Sequence, residues 1–340
     1  MKARSIKHLT SIGAICLLGL MVLTAASAAT PPLKTGLKVY VIPKNLGNPY
    51  FTTADSVKSG GALKALQELR EVGKETSGTA ATAASQLPAI QAAITKGANA
   101  LIVSATDASA LCPTLKQAMA RKITVVTYDS DAPGCRSVFI NQANSKAIGT
   151  SQVDLLAKQL DSKGEIAIVS AAASATNQNA WIGFMKVQLK KYPNMKLVDV
   201  VYGNDDPTVS TQVTQGLLQK HRQLKGIISP TTVGIAAAAA VLDVAKYRGK
   251  VKLTGLGTPN SLRKWVKNGT IEAFELWNPA DLGYLAAYAA VNHASGRITG
   301  AAGQSFKAGR LGTYKIGAKR TVLLGPPFVF NKANIDKFNF

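Results

Sequence analysis

The stretch Val39-Tyr40-Val41-Ile42-Pro43-Lys44-Asn45-Leu46-Gly47-Asn48-Pro49-Tyr50-Phe51 decides how the chain is read. A β-branched run ends at Pro43, and a lysine, a Gly/Asn/Pro turn and two aromatics follow before a helical pattern begins. This pattern reads as a first strand that delivers polar and aromatic groups to its carboxyl end. In open α/β sheets ligands bind at that edge, where loops leave the strand tips and helix N-termini face them. The competing reading makes Lys44 a solvated charge and Tyr50 and Phe51 plain core, since exposed lysines and buried aromatics are the common case. The rest of the chain has to choose between them.

Outward from this stretch, short β-branched runs alternate with longer amphipathic ones. Val39 to Ile42 is a strand, and Tyr50 to Leu69 carries apolar or small residues at helical spacing. Val72 to Ser77 is a polar second strand, Ala80 to Lys96 an alanine-rich helix with Gly97 as its C′ residue, and Ala100 to Ser104 a fully apolar strand. Asp107 caps a helix to Arg121, and Ile123 to Tyr128 is the next strand. Near Asn141 the pattern restarts: helices at Ala147 to Leu160, Ala175 to Tyr192, Pro207 to His221, Val233 to Arg248, Ser261 to Asn268 and Pro279 to Ser295 are separated by strands at Glu165, Leu197, Gly226, Lys252 and Thr270. Successive βα units in both halves predict an α/β protein with two doubly wound parallel-sheet lobes joined by a hinge. A cleft between two lobes is a preferred place for a small ligand. The tail from Phe306 to Phe340 is strand-like and basic and is expected to wrap back onto one lobe.

Residues 1–29 read as a cleaved secretory signal, with Lys2, Arg4 and Lys7 ahead of an apolar run and Ala26-Ser27-Ala28 as the cleavage site. The remaining length, about 310 residues, exceeds one comfortable core and fits two lobes. The formal charge of +22 can signal nucleic acid, but the basic residues are scattered and only 6% of the chain is aromatic. A solvated basic surface is the better reading, and no nucleic-acid partner is expected. Beyond the signal the cysteines are Cys112 and Cys135. In an exported protein an even count favours a bridge. Adjacent parallel strands would bring these two together, with two free thiols as the alternative.

Enzyme signatures are mostly missing. His221 and His293 lie far apart on helices, so a histidine-based triad or metal site lacks parts. Gly255-Leu256-Gly257-Thr258-Pro259-Asn260 begins like a dinucleotide fingerprint, but Pro259 and Asn260 make it a turn at a strand end. Asp205-Asp206 reads as the cap of the helix that Pro207 opens. No catalytic residue, metal or cofactor is implied. What recurs is a set of polar and aromatic groups at strand tips: Lys44, Asp129, Asn177 with Gln178, Pro230 to Thr232, and Trp277 with Asn278. A sugar needs planar donors and acceptors for its hydroxyls and an apolar face to stack on, and this set supplies both.

Asn48-Pro49-Tyr50-Phe51 resembles the first loop of ribose-type binding proteins. Ile42-Pro43-Lys44, Ile102-Val103-Ser104-Ala105, Leu111-Cys112-Pro113, Asp129-Ser130-Asp131, Ile140-Asn141-Gln142, Gly257-Thr258-Pro259-Asn260, Leu276-Trp277 and the ending Asn334 to Phe340 widen the match. Together they resemble the type I periplasmic sugar-binding proteins of ABC importers, in the branch of autoinducer-2 and rhamnose receptors, over essentially the whole chain after the signal. The resemblance implies a monomeric periplasmic receptor, not an enzyme. It would capture a small sugar by lobe closure and deliver it to an ABC permease in the inner membrane. The expected division is 34–142 plus 277–305 in one lobe and 143–276 plus 306–340 in the other.

The resemblance also implies roles. Lys44 and Asp129 would hold ligand hydroxyls, Gln178 and the Pro230 to Thr232 loop would close from the other lobe, and Tyr50, Phe51, Trp181 and Trp277 would form apolar walls. Autoinducer-2 receptors carry aspartate where this chain has Asn177 and Asn278, and alanine where it has Thr232. Losing a charge-assisted hydrogen bond of roughly 1.5 to 3 kcal/mol disfavours that signal and points to a monosaccharide, such as the deoxysugar rhamnose. An exported sugar-processing enzyme is the alternative of another class; it would need a carboxylate partner for Asp129 in the cleft.

Overall fold

The computed structural model describes Met1 and residues 30–340; the signal-peptide reading of residues 1–29 therefore lies outside the described residues. From Pro31 to Phe340 the chain forms one compact unit.

The first half runs β1 (Lys38–Ile42), α1 (Pro49–Asp55), α2 (Ala62–Glu68), β2 (Val72–Glu75), α3 (Ala83–Thr95), β3 (Ala100–Val103), α4 (Ala108–Ala120), β4 (Thr124–Tyr128) and β5 (Val138–Asn141). Strands β3 and β4 are buried along their whole length, as expected when helices cover both faces of a parallel sheet. Asp107 caps α4 by accepting from Ala110 N at 3.0 Å. The predicted single helix from Tyr50 to Leu69 is two helices. The chain turns at Gly60 (φ +80°), and a Cβ on Gly61 would lie 2.0 Å from Ala54 O. Close packing of backbones, absent from any periodicity, breaks the helix there.

The second half runs α5 (Ser145–Gln159), β6 (Gly164–Ser170), α6 (Thr176–Leu189), β7 (Met195–Tyr202), α7 (Pro207–Lys220), β8 (Leu224–Ser229), α8 (Thr232–Leu242), β9 (Lys252–Gly255), α9 (Pro259–Lys267) and β10 (Ala273–Leu276). Helix α8 ends at Leu242, short of the expected Arg248, where Asp243 instead holds Asn268 and Thr270 through its side chain. Then follow α10 (Pro279–Ala294), β11 (Ser305–Lys307), β12 (Thr313–Lys315), β13 (Thr321–Leu323) and β14 (Phe328–Asn331).

Two parallel sheets result, in the orders β13-β5-β4-β3-β1-β2 and β7-β6-β8-β9. Strand β10 pairs antiparallel with β14, and Glu275 bridges to Leu256 just past β9. The polypeptide passes between the sheets after Asn141, after Leu276 and after Leu323. Helix α10 packs on α1, α2 and β4, with Gly283 so close that a Cβ there would meet Ala54 O at 1.9 Å. The tail, expected on one lobe, divides: Thr321–Leu323 joins β5 in the first sheet, while Phe330 stacks on Phe274 beside the second. Cys112 and Cys135 form a disulfide with Cα atoms 5.4 Å apart. Among the described residues no helix is long and apolar enough to cross a membrane.

Candidate functional site

The strand tips of both sheets and the first turns of α1, α6 and α8 surround a cavity of about 350 Å³, part of it open to solvent. Local sequence sets each wall. Asn48 accepts from Tyr50 N at 3.0 Å and Pro49 opens α1, which fixes Tyr50 and Phe51 in the first turn. Asp129 follows β4 in the left-handed region (φ 59°), and Asn177 lies in the first turn of α6.

At the centre is a buried ion pair. Lys44 Nζ is 3.5 Å from Asp129 Oδ2, with the two residues 4% and 5% exposed. Ser104 Oγ donates to Asp129 Oδ2 at 2.8 Å, and Asn177 Nδ2 donates to Oδ1 at 3.2 Å. Lys44 Nζ in turn donates to Asn177 Oδ1 at 3.3 Å. One neutral amide from the second lobe thus engages both charges of the first. Thr176 Oγ1 donates to Asp131 O at 3.0 Å, and Ser174 Oγ to Thr106 O at 3.3 Å, so α6 and the loop before it touch the first lobe at several points. Gln178 Oε1 accepts from Ser170 Oγ at 2.6 Å and Ala171 N at 2.7 Å, which leaves its Nε2 as the group a ligand can use.

Aromatic rings form the remaining walls. Trp277 Nε1 donates to Tyr50 Oη at 2.9 Å, and Trp181 packs against Trp277 with centroids 6.0 Å apart. Behind Phe51, Tyr128 Oη donates to both oxygens of Asp55, at 3.0 and 2.9 Å. Burial pushes the Asp55 carboxyl well above the usual carboxylate range, with repulsion from Glu75 adding to it.

Of the sequence-predicted site residues, Lys44, Tyr50, Phe51, Asp129, Asn177, Gln178, Trp181, Pro230, Thr232 and Trp277 line this one cavity. Asn278 does not; its side chain caps α10 by accepting from Ala280 N at 3.0 Å. The structure adds Asn48, Leu256, Leu276 and, above all, Asp205, and brings in Thr231 with the rest of the predicted 230–232 loop. Asp206 alone is the cap of α7, accepting from Val209 N at 2.8 Å. Asp205 takes a left-handed conformation (φ 51°) and turns into the cavity, where it accepts from Thr231 Oγ1. Burial raises its carboxyl above the ordinary range, and nearby Lys44 partly opposes this. Two adjacent aspartates before a Pro-initiated helix carry no signal that separates cap from lining. The cavity therefore does hold a second carboxylate beside Asp129, contrary to what the sequence suggested.

The periplasmic binding protein domain family matches residues 39–298, and the chain belongs to that family. It is similar to a sugar ABC transporter protein of Actinomyces odontolyticus, at 43% identity and TM-score 0.69 over 90% of this chain and all of that one. It is also similar to a solute-binding protein of Clostridium phytofermentans solved with bound L-rhamnose, at 36% identity and TM-score 0.85 over 90% and 98% of the two chains. LsrB of Clostridium saccharobutylicum, solved in complex with AI-2, shows 26% identity and TM-score 0.83 over 89% of this chain and all of that one. The fold is accordingly the type I periplasmic binding protein fold, and the relatives are solute-binding proteins of sugar transport.

Proposed function

We propose that this protein is a periplasmic receptor that captures one neutral monosaccharide between its lobes and delivers it to an ABC permease. The observation that carries the reading is the Lys44–Asp129 pair, buried at the strand tips, touched from the other lobe by Asn177 and roofed by Tyr50, Phe51, Trp181 and Trp277. Ligand hydroxyls can replace the contacts of Asn177 with both charges, and closure then makes each bond in a drier setting where it is stronger. Binding shifts an open–closed equilibrium because only the closed form meets the ligand from both sides. One lysine faces two carboxylates, Asp129 and Asp205, so the cavity offers an anionic ligand no surplus of positive charge.

Within neutral sugars we favour a deoxysugar such as rhamnose. The C. phytofermentans relative with bound L-rhamnose supports this choice. The receptor acts as a monomer in this reading. Thermal-shift screening against L-rhamnose, other deoxysugars, pentoses, tetritols and autoinducer-2 tests it, since a ligand bound only by the folded state raises the melting temperature. A rise with a sugar is expected; a rise with autoinducer-2 alone refutes the preferred ligand. The second carboxylate gives the enzyme alternative one specific footing. Product formation from the bound sugar would establish it and remove the receptor reading.

A further inference from the structure

Two indoles line the cavity, and the protein treats their N–H groups differently. Trp277 Nε1 is satisfied by Tyr50 Oη at 2.9 Å. Trp181 Nε1 is shielded from solvent, in a residue 3% exposed, and has no acceptor among the described residues. An indole N–H can only donate, and a buried donor without a partner is a net cost to the fold. A ring needed merely to fill space beside Trp277 could be phenylalanine, which carries no such cost. Gln178, three residues earlier on α6, shares that helix face, and its Nε2 likewise has no protein partner among the described residues. Helix α6 thus carries two N–H donors without protein partners, one turn apart, on residues that both line the cavity shared with Lys44 and Asp129.

We propose that Trp181 is a specificity-determining residue, whose Nε1–H donates to an oxygen of the bound sugar and which therefore does more than supply an apolar wall. The inference rests on the sugar-binding reading above. It implies that the ligand places a hydroxyl or ring oxygen against Trp181, and that any methyl group of a deoxysugar lies elsewhere in the cavity.

The test is calorimetric titration of the wild type and of Trp181→Phe with L-rhamnose, D-ribose, D-allose and D-arabinose, then with monodeoxy analogues of whichever sugar binds. Wild-type binding, an affinity lower by about tenfold in Trp181→Phe, and one analogue that both proteins bind equally would be the expected pattern. A wild type that binds no sugar ends the sugar-binding reading and this inference together. A wild type that binds while Trp181→Phe binds equally well, or loses the same factor for every analogue, overturns the inference alone. Heteronuclear NMR of the wild type covers the case of a variant that fails to fold, since the chain has only three tryptophans. The Trp181 indole proton is expected to shift downfield and exchange slowly at saturation with the sugar. An unmoved, freely exchanging signal overturns the inference.

Discussion

Asn177 Nδ2 donates to Asp129 Oδ1 at 3.2 Å, joining the first turn of α6 to the tip of β4 across 48 residues of sequence. The same side chain accepts from Lys44 Nζ at 3.3 Å. A neutral amide can serve an anion and a cation at once because it carries both a donor and an acceptor. Asn177→Asp loses the donor and adds a third carboxylate to the cavity, set directly against Asp129. The affinity for a neutral sugar is expected to fall by about tenfold or more, the value of a lost bond to a charged group, while affinity for autoinducer-2 rises. Titration calorimetry with both ligands checks this, and an unchanged ratio of affinities would show that Asn177 does not select the ligand.

Lys44→Met should damage the fold as well as the site. It leaves Asp129 buried with only Ser104 and Asn177 as partners, and breaking a buried pair from one side costs about 3 to 5 kcal/mol. The two remaining hydrogen bonds place the expected loss near the lower figure. Denaturant melts measure it; a loss below about 1 kcal/mol would mean that water reaches Asp129 and that the pair is far less isolated than its burial indicates.

Stability should fall from mildly acidic to mildly basic pH. Burial pushes the Glu275 carboxyl up from 4.5 to about 7; repulsion from Asp154 adds to the rise, and the 2.7 Å hydrogen bond from Ser151 works against it. The folded state then binds more protons than the unfolded state between those values, so stability is lost as pH rises through the window, by about 3 kcal/mol when complete. Asp55 and Asp205, also raised by burial, act in the same direction. Glu275→Gln keeps an acceptor for Ser151 and removes the charge. It should melt higher than the wild type at pH 8 and alike at pH 5. Parallel melting curves at the two pH values would contradict the assignment.

Reduction of the Cys112–Cys135 bridge frees a loop spanning a separation of 23 residues. In the chain-entropy model that costs about 3 kcal/mol. The midpoint of urea unfolding is expected to drop under reductant and in Cys112→Ser by the same amount. Thiol titration of the denatured, unreduced protein should find no free thiol beyond the signal segment.

Much of the architecture was legible locally. Buried parallel strands show as β-branched runs, helix starts show as Asp107 and the Asp206-Pro207 pair, and the strand-tip positions of Lys44, Asp129, Asn177 and Gln178 follow from where those runs stop. These signals are local because strand propensity, capping and chain reversal depend on a few neighbouring residues. The break of the first helix at Gly60 and Gly61 was not legible, because its cause is the backbone of Ala54, whose carbonyl oxygen Gly283 of α10 also approaches closely. Nor was the split of the tail, since Thr321–Leu323 joins the first sheet by pairing with a strand about 180 residues earlier.

The opening stretch shows where the division falls. By itself the sequence determined that Lys44, Tyr50 and Phe51 follow a strand and begin a helix. Tertiary structure decided that Lys44 meets Asp129 and Asn177, that Asp205 belongs to the same cavity while Asp206 caps a helix, and that Trp277 is satisfied by Tyr50 while Trp181 is not. Periodicity reports which face of an element is covered. The identity of the covering group depends on chain segments distant in sequence, 48 residues apart for Asp129 and Asn177 and 227 for Tyr50 and Trp277, and the free energy of a buried charge or N–H is set by that partner.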